Sequence, residues 1–237
     1  MRVLITSGGT KVHLDPVRSI TNRSTGSFGS MLAVQALHLS ADVIYLTSKE
    51  GRAPFSHAIN FYQNANHDDY IKQIQDLHRL SRQYQKHYCE YRYETFTEYH
   101  DLLKLLCERH QPDVVILSAA VSDYLASHYA EDKIRSNHDF EITFKLAPKI
   151  IYHIKDWVKQ TFLVGFKLLI DASDEDLVKA STVQIKHGAD LVVANNLSSV
   201  ERGQHEILLI EKDGSFQKHT QDLASIIIKR CVQSITQ

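Results

Sequence analysis

Two adjacent glycines, Gly8 and Gly9, follow the short apolar run Val3-Leu4-Ile5-Thr6 and lead into Thr10. Glycine has no Cβ, so backbone N–H groups at such a pair can close on a phosphate. A second segment, Gly26-Ser27-Phe28-Gly29, runs straight into a helical stretch. The free N–H groups and the positive end of that helix would add to an anion site. Other polar groups stand just beyond further apolar runs or in the turn-rich stretch between the glycine segments. They are Asn22 and Ser24, Asp123 behind Ala119-Ala120, Lys167 beside Phe166, and Asn195. Ligands of open parallel sheets bind outside the carboxyl ends of the strands, so these residues converge on one crevice. The chemistry they suit is the binding of a phosphate-rich ligand. Residue types alone do not name the substrate.

Several familiar sites are excluded by spacing. A dinucleotide fingerprint needs Gly-x-Gly-x-x-Gly directly after the first strand, and Gly8-Gly9-Thr10-Lys11-Val12 breaks it. Lys49-Glu50 does follow the second apolar run, which keeps a nicotinamide cofactor in play. There is no Walker-type Gly-x-x-x-x-Gly-Lys-[Ser/Thr], no Gly-x-Ser-x-Gly and no His-Glu-x-x-His. The 14 histidines never fall within one helical turn of each other, so none is assigned to a metal. Cys89, Cys107 and Cys231 are far apart and odd in number, which is neither a disulfide framework nor a zinc spacing. Lys plus Arg number 27 against 28 Asp plus Glu, too balanced for a general nucleic-acid surface. No secretory leader and no 18-residue apolar run is present, so the expectation is a cytoplasmic protein without a membrane partner.

The elements that must position these groups alternate. Apolar runs at Val3–Thr6, Val43–Thr47, Ile59–Gln63, Asp113–Ser118, Phe162–Phe166 and Leu191–Ala194 read as strands. Helical patterns follow Gly29, span about Asp68–Tyr88, Glu98–His110 and Asp174–His187, open briefly at Pro148, and close the chain from Leu223. Asp139–Lys145 alternates like a strand outside the parallel core, and Asp213-Gly214 turns a hairpin between Glu206–Glu211 and Ser215–His219. The aromatic and charged stretch 87–93 reads either as the junction of a helix and a strand or as part of a subunit contact. The fold class is α/β: a mostly parallel, Rossmann-like sheet with helices on both faces plus a small additional strand or flap segment. No linker or repeat divides the chain, so one domain is expected over residues 1–237.

Segments spread over nearly the whole chain, in order, resemble the phosphopantothenate–cysteine ligase family. They are Ile5–Thr10, Leu14–Gly26, Ser118–Tyr124, Lys133–Ser136, Leu146–Ile150, Val164–Leu168 and Ala189–Asn195. The resemblance is to the free-standing enzymes; in many bacteria the domain is fused behind a flavin-containing decarboxylase, whereas this chain opens on its first strand. It implies a ligase joining 4′-phosphopantothenate and L-cysteine through an acyl-nucleotide, with Mg²⁺ and a nucleoside triphosphate. It also implies a homodimer with a shared site. By position, Asn22 and Lys133 become the catalytic pair, the lysine on a flap. Gly8, Gly9, Thr10, Ser24, Gly26, Asp123, Phe166, Lys167 and Asn195 become nucleotide-binding residues. Arg18, Asn22, Ala119, Ala120 and Asp123 become substrate-binding residues, Arg18 reaching a phosphate in the neighbouring subunit. Lys133-Ile134-Arg135-Ser136 lies between the bacterial and eukaryotic forms of its motif, which leaves CTP, favoured, and ATP as alternatives. The rival readings are a nicotinamide-dependent oxidoreductase on the same kind of sheet, and a non-catalytic nucleotide-binding protein.

Overall fold

A computed structural model of the chain describes residues 1–55, 67–136, 139–198 and 206–236. Six parallel strands form the body of an eight-stranded sheet: β1 (Arg2–Ser7), β4 (Asp42–Ser48), β5 (Tyr88–Tyr93), β6 (Val114–Leu117), β9 (Phe162–Leu169) and β10 (Leu191–Asn196). An antiparallel pair, β11 (Ile207–Glu211) and β12 (Phe216–His219), extends one side, giving the order β12-β11-β10-β9-β6-β1-β4-β5. The winding reverses between β1 and β6. That is the switch point at which chains leaving neighbouring strands part and open a crevice.

Residues alternate between two cores, as a sheet covered on both faces requires. Val3, Ile5, Val43, Tyr45, Val114, Ile116, Leu191 and Val193 face α1 (Ser27–His38) and the last helix. Leu4, Ile44, Leu46, Val115, Val192 and Ala194 face α3 (Phe96–His110), the short α4 (Ile154–Trp157) and α5 (Asp174–Lys186). The last helix, α6 (Leu223–Ile235), lies beside α1. Capping boxes start two helices: Thr95 with Glu98 for α3 and Ser173 with Asp176 for α5. Each box satisfies N–H groups that the first turn leaves unpaired.

Two small sheets stand apart. β2 (Lys11–Asp15) and β3 (Arg18–Thr21) form an antiparallel hairpin between β1 and α1, where the sequence reads only as a polar loop. β7 (Tyr124–Ala126) pairs with β8 (Phe144–Leu146), so the strand expected at Asp139–Lys145 is shorter and shifted, though it does lie outside the main sheet. The stretch 87–93 is strand β5 just after a helix that ends at Tyr84, as the junction reading expects, and it is the sheet's edge among the described residues; Tyr88 packs on one core and Tyr91 and Tyr93 on the other. The strand expected at Ile59–Gln63 lies outside the described residues. The following helix, α2 (His67–Tyr84), ends earlier than the spacing suggests and leaves Ile74 exposed. No helix among the described residues is long and apolar enough to cross a membrane.

Leu32 is fully buried and anchors α1 on the sheet. Leu32→Ala should cost about 2–5 kcal/mol in urea unfolding, from lost transfer energy plus the cavity left behind.

Candidate functional site

Beyond β1 and β6 the chain forms two loops that are bonded to each other. Ala120 N–H donates to Gly8 O at 2.8 Å, and Thr10 N–H donates to Ala120 O at 3.2 Å. Ser118 Oγ donates to Thr6 O at 2.5 Å, and Ala119 N–H to Thr6 Oγ1 at 3.3 Å. Ser122 N–H donates to Thr10 Oγ1 at 2.9 Å, so the hydroxyl of buried Thr10 is spent on holding the other loop. Gly8 has φ +78, and a Cβ there would meet Ser48 Oγ at 2.2 Å. Only glycine fits that turn.

The hairpin β2–β3 brings Asn22 back onto this pair of loops. Asn22 N–H lies 3.4 Å from Thr10 O, and a Cβ on Gly9 would stand 2.6 Å from Asn22 O. The start of α1 closes the other side. Its N-cap, Gly26, has φ +73 and no side chain to cap the helix, and Thr25 Oγ1 accepts the Ser27 N–H at 3.3 Å. Ser7 Oγ donates to Gly26 O at 3.0 Å. Gly29 lets the helix descend this far, since a Cβ would strike Ser7 Oγ at 2.4 Å and Ser118 Oγ at 2.9 Å. Ser24 is half-buried between these elements in sequence.

β6 pairs with β9 only as far as Ile116 and Val164, so Phe166 and Lys167 run on past the end of β6. Phe166 meets Phe28 of α1 edge to face, with centroids 5.9 Å apart, and the two rings make a half-buried aromatic wall. Phe28 drew no role from its sequence position. Asn195 sits one strand further, opposite Leu168, beside a narrow cleft shared with Glu206 and Lys218. It is the site residue set furthest along the sheet from Asn22. Asn196 is structural: its amide binds Ala172 O at 2.8 Å and Asp171 N–H at 3.1 Å.

Asp123 is exposed and paired to Lys149 at 2.5 Å, a partner that nothing in the spacing suggests. Lys133 is also exposed, with no hydrogen bond or ion pair among the described residues. Its neighbour Ile134 is tied to Asp15, whose carboxylate accepts the Ile134 N–H at 3.1 Å. Burial alone would raise the Asp15 pKa, but the N–H groups of Val17, Ile134 and Arg18 and the Arg18 guanidinium together hold it below its ordinary value. Arg18 Nη1 lies 2.9 Å from Asp15 Oδ2 and 2.9 Å from Ile134 O. Bonds therefore run from Asp123's neighbour Ser122 through Thr10 to Asn22, and along the same hairpin through Asp15 to Ile134 beside Lys133.

Beneath the loops lie tyrosines. Tyr93 Oη donates to Ser7 O at 2.6 Å and Tyr99 Oη to Thr6 Oγ1 at 3.2 Å. Burial pushes both phenols above their ordinary range, so they remain neutral donors. At the rim, Lys11 binds Glu50 at 2.5 Å and Lys49 binds Glu94 at 2.5 Å. The hydrogen bond from Lys49 holds the Glu94 carboxyl low, and Glu50 raises the Lys11 ammonium. The acid that a nicotinamide ribose would need is thus already occupied, which disfavours the oxidoreductase reading. Among the described residues no group of three or more His, Cys, Asp or Glu could hold a metal. A Mg²⁺ carried mainly by phosphate oxygens and water would need no such group.

Fold and site together define a doubly wound α/β protein with glycine loops and a helix N-terminus set at its switch point. The chain belongs to the family of the DNA/pantothenate metabolism flavoprotein C-terminal domain, whose model matches residues 1–78 and 91–235. It is 32% identical over 213 residues to the coenzyme A biosynthesis bifunctional protein CoaBC of Thermococcus kodakarensis, covering 90% of this chain and 45% of that protein. It therefore spans less than half the length of that relative. The human phosphopantothenate–cysteine ligase is 27% identical over 242 residues, covering 89% of this chain and 76% of the human one. Among solved structures, a Streptococcus pneumoniae DNA/pantothenate metabolism flavoprotein superposes with TM-score 0.78 at 25% identity, over 99% of both chains. A mutant of Cab2 in complex with phosphopantothenate-cysteine gives 0.84 at 23% identity, covering 99% of this chain and 86% of that one, and bears on the fold alone.

Gly9→Ala should displace Asn22, because the new methyl meets backbone rather than a yielding side chain. The expected readout is faster hydrogen exchange at the Asn22 amide in a variant with a wild-type circular dichroism spectrum.

Proposed function

We propose that this chain joins 4′-phosphopantothenate to L-cysteine at the expense of a nucleoside triphosphate, preferentially CTP, in coenzyme A biosynthesis. The observation that carries this reading is the pair of loops at the switch point, where Ala120 is bonded to Gly8 and Thr10, Ser122 to Thr10, and Asn22 hangs from Thr10 ahead of α1. Family membership and the names of its relatives, two of them the human and mouse phosphopantothenate–cysteine ligases, support the substrate assignment.

The reaction must bring an anionic carboxylate to an anionic triphosphate. A carboxylate oxygen of phosphopantothenate attacks the α-phosphorus, the bond to the β-phosphate breaks, and pyrophosphate leaves. The unprotonated cysteine amine then attacks the acyl carbon, the bond to the nucleoside monophosphate breaks, and a proton leaves the new amide nitrogen. Asn22 holds the carboxylate and then the acyl group, donating through its amide without adding charge. The Gly8–Gly9 loop and the α1 N-terminus receive phosphate oxygens. Ser24 lies along the same path, and Lys133 neutralises charge on the phosphates and the acyl-nucleotide. Phe166 with Phe28 walls the nucleotide base, Lys167 and Asn195 line its far side, and Ala119, Ala120 and Asp123 border the pantothenate. When bound, Mg²⁺ supplies further screening of the phosphates.

The site is shared across a homodimer in this reading, Arg18 binding the substrate phosphate of the neighbouring subunit. Nη1 of Arg18 is engaged in its own chain, while Nε and Nη2 have no partner among the described residues and can still grip a phosphate. On the same hairpin Val17 is 65% exposed and Ile20 45%, apolar surface that a second copy would cover.

Pyrophosphate release should require phosphopantothenate, cysteine, Mg²⁺ and nucleotide together, faster with CTP than with ATP. Lys133→Gln should lower kcat about 10²–10³-fold, the usual loss for a group that stabilises transition-state charge. Nucleotide binding without pyrophosphate release would sink the ligase reading. Arg18→Ala and Asn22→Ala, each inactive alone, should recover activity when mixed, because half of the hybrid's sites are intact. Confirmed subunit exchange without recovery would mean the site is not shared.

A further inference from the structure

Asp15 sits at the bend between β2 and β3 with 1% of its surface exposed. A carboxylate removed from water must have its lone pairs met. Oδ1 accepts the N–H groups of Val17 and Arg18, both at 2.8 Å. Those bonds are local and close the turn. Oδ2 accepts Arg18 Nη1 at 2.9 Å and then reaches across the fold to Ile134 N–H at 3.1 Å. Arg18 Nη1 also donates to Ile134 O at 2.9 Å, so the residue is gripped at both its N–H and its carbonyl. A second stitch, Ala130 N–H to Leu14 O at 3.0 Å, fastens the same segment earlier in its course. Lys133 lies between the two fastenings.

We propose that Asp15 is a positioning residue for Lys133: by latching Ile134 to the β2–β3 hairpin, it fixes the backbone from which the lysine ammonium reaches the phosphates. The proposal rests on the role given to Lys133 above; Asp15 itself touches no ligand. A lysine is a point charge on a flexible four-carbon stem, so its usefulness depends on where its backbone is held. The turn needs only Oδ1. The contact between Oδ2 and Ile134 adds nothing to the hairpin and is spent on the flap. Arg18 joins the two, so a phosphate gripped by Nε or Nη2 would lie one guanidinium away from the flap peptide.

The test pairs hydrogen-exchange mass spectrometry of residues 130–136 with steady-state pyrophosphate release. In Asp15→Asn the Ile134 amide should exchange about tenfold faster or more, as expected when a local hydrogen bond to a charged acceptor is lost. The kcat should fall with the KM for cysteine unchanged. Adding Asp15→Asn to Lys133→Gln should bring little loss beyond that of Lys133→Gln alone, because Asp15 acts only through the lysine. Ile134→Pro removes the flap's N–H donor, while also restricting the backbone at Lys133 before it, leaves the hairpin turn alone, and should reproduce the loss if Asp15→Asn proves poorly folded. Unchanged exchange at Ile134, or losses that multiply in the double variant, would overturn the latch. Wild-type chain that exchanges slowly at Ile134 but releases no pyrophosphate would instead overturn the ligase reading, and exchange in the Asp15 variant would still decide the latch.

Discussion

Where β1 and β6 end, two loops leave the sheet without a strand between them, and they survive there by bonding to each other. Gly8 with Ala120, Thr10 with Ala120 and Ser122, and Thr6 with Ser118 and Ala119 continue the pairing that the strands can no longer provide. Each such bond is worth only about 0.5–1.5 kcal/mol net, yet leaving its buried groups unpaired costs more than the bond returns. The stitch is therefore close to obligatory. Asn22 hangs from Thr10 O at the root of the hairpin, and Ile134 hangs from Asp15 at its tip. Loosening the first link would release the others.

The floor of the site is polar but uncharged. Tyr93 and Tyr99 donate to Ser7 and Thr6 from below, their pKa values raised by burial, so no anion forms beneath the glycine loop. Acids at the rim are matched with cations: Glu50 with Lys11, Glu94 with Lys49, and Asp123 with Lys149. A chain with net charge −1 can in this way present a locally favourable field to a polyanion without a basic surface.

What could be read from the sequence follows from how fully each element is buried. The central strands are apolar on both faces, so their runs of Val, Ile and Leu stand out. The hairpin β2–β3 is mostly exposed or half-exposed, with Val12 and Asp15 its only buried residues, and a polar ribbon of that kind has no apolar period to find. Edge strand β5 hides for the opposite reason: it places aromatic rings on both faces, and the alternation cancels. The glycines and Asn22 stand out because turn chemistry is written in residue type. Phe28, Lys149 and Asp15 do not, since their importance lies in what the fold sets beside them.

The same hairpin accounts for the departure from dinucleotide binding. In a nicotinamide-binding sheet the first strand turns directly into its helix, so the pyrophosphate lies across the glycines at the helix N-terminus, and the acid after the second strand takes the ribose. Here β2 and β3 are inserted between Gly9 and α1. They fold back until Asn22 O would nearly touch a Cβ on Gly9, so that one side of the glycine loop is covered by backbone. Lys11, at the start of the insertion, also claims the Glu50 carboxylate that the ribose would need. One inserted ribbon thus removes both requirements of the dinucleotide site. What it leaves is access to α1 beside Ser24 and Gly26, next to an amide donor and the Phe28–Phe166 wall.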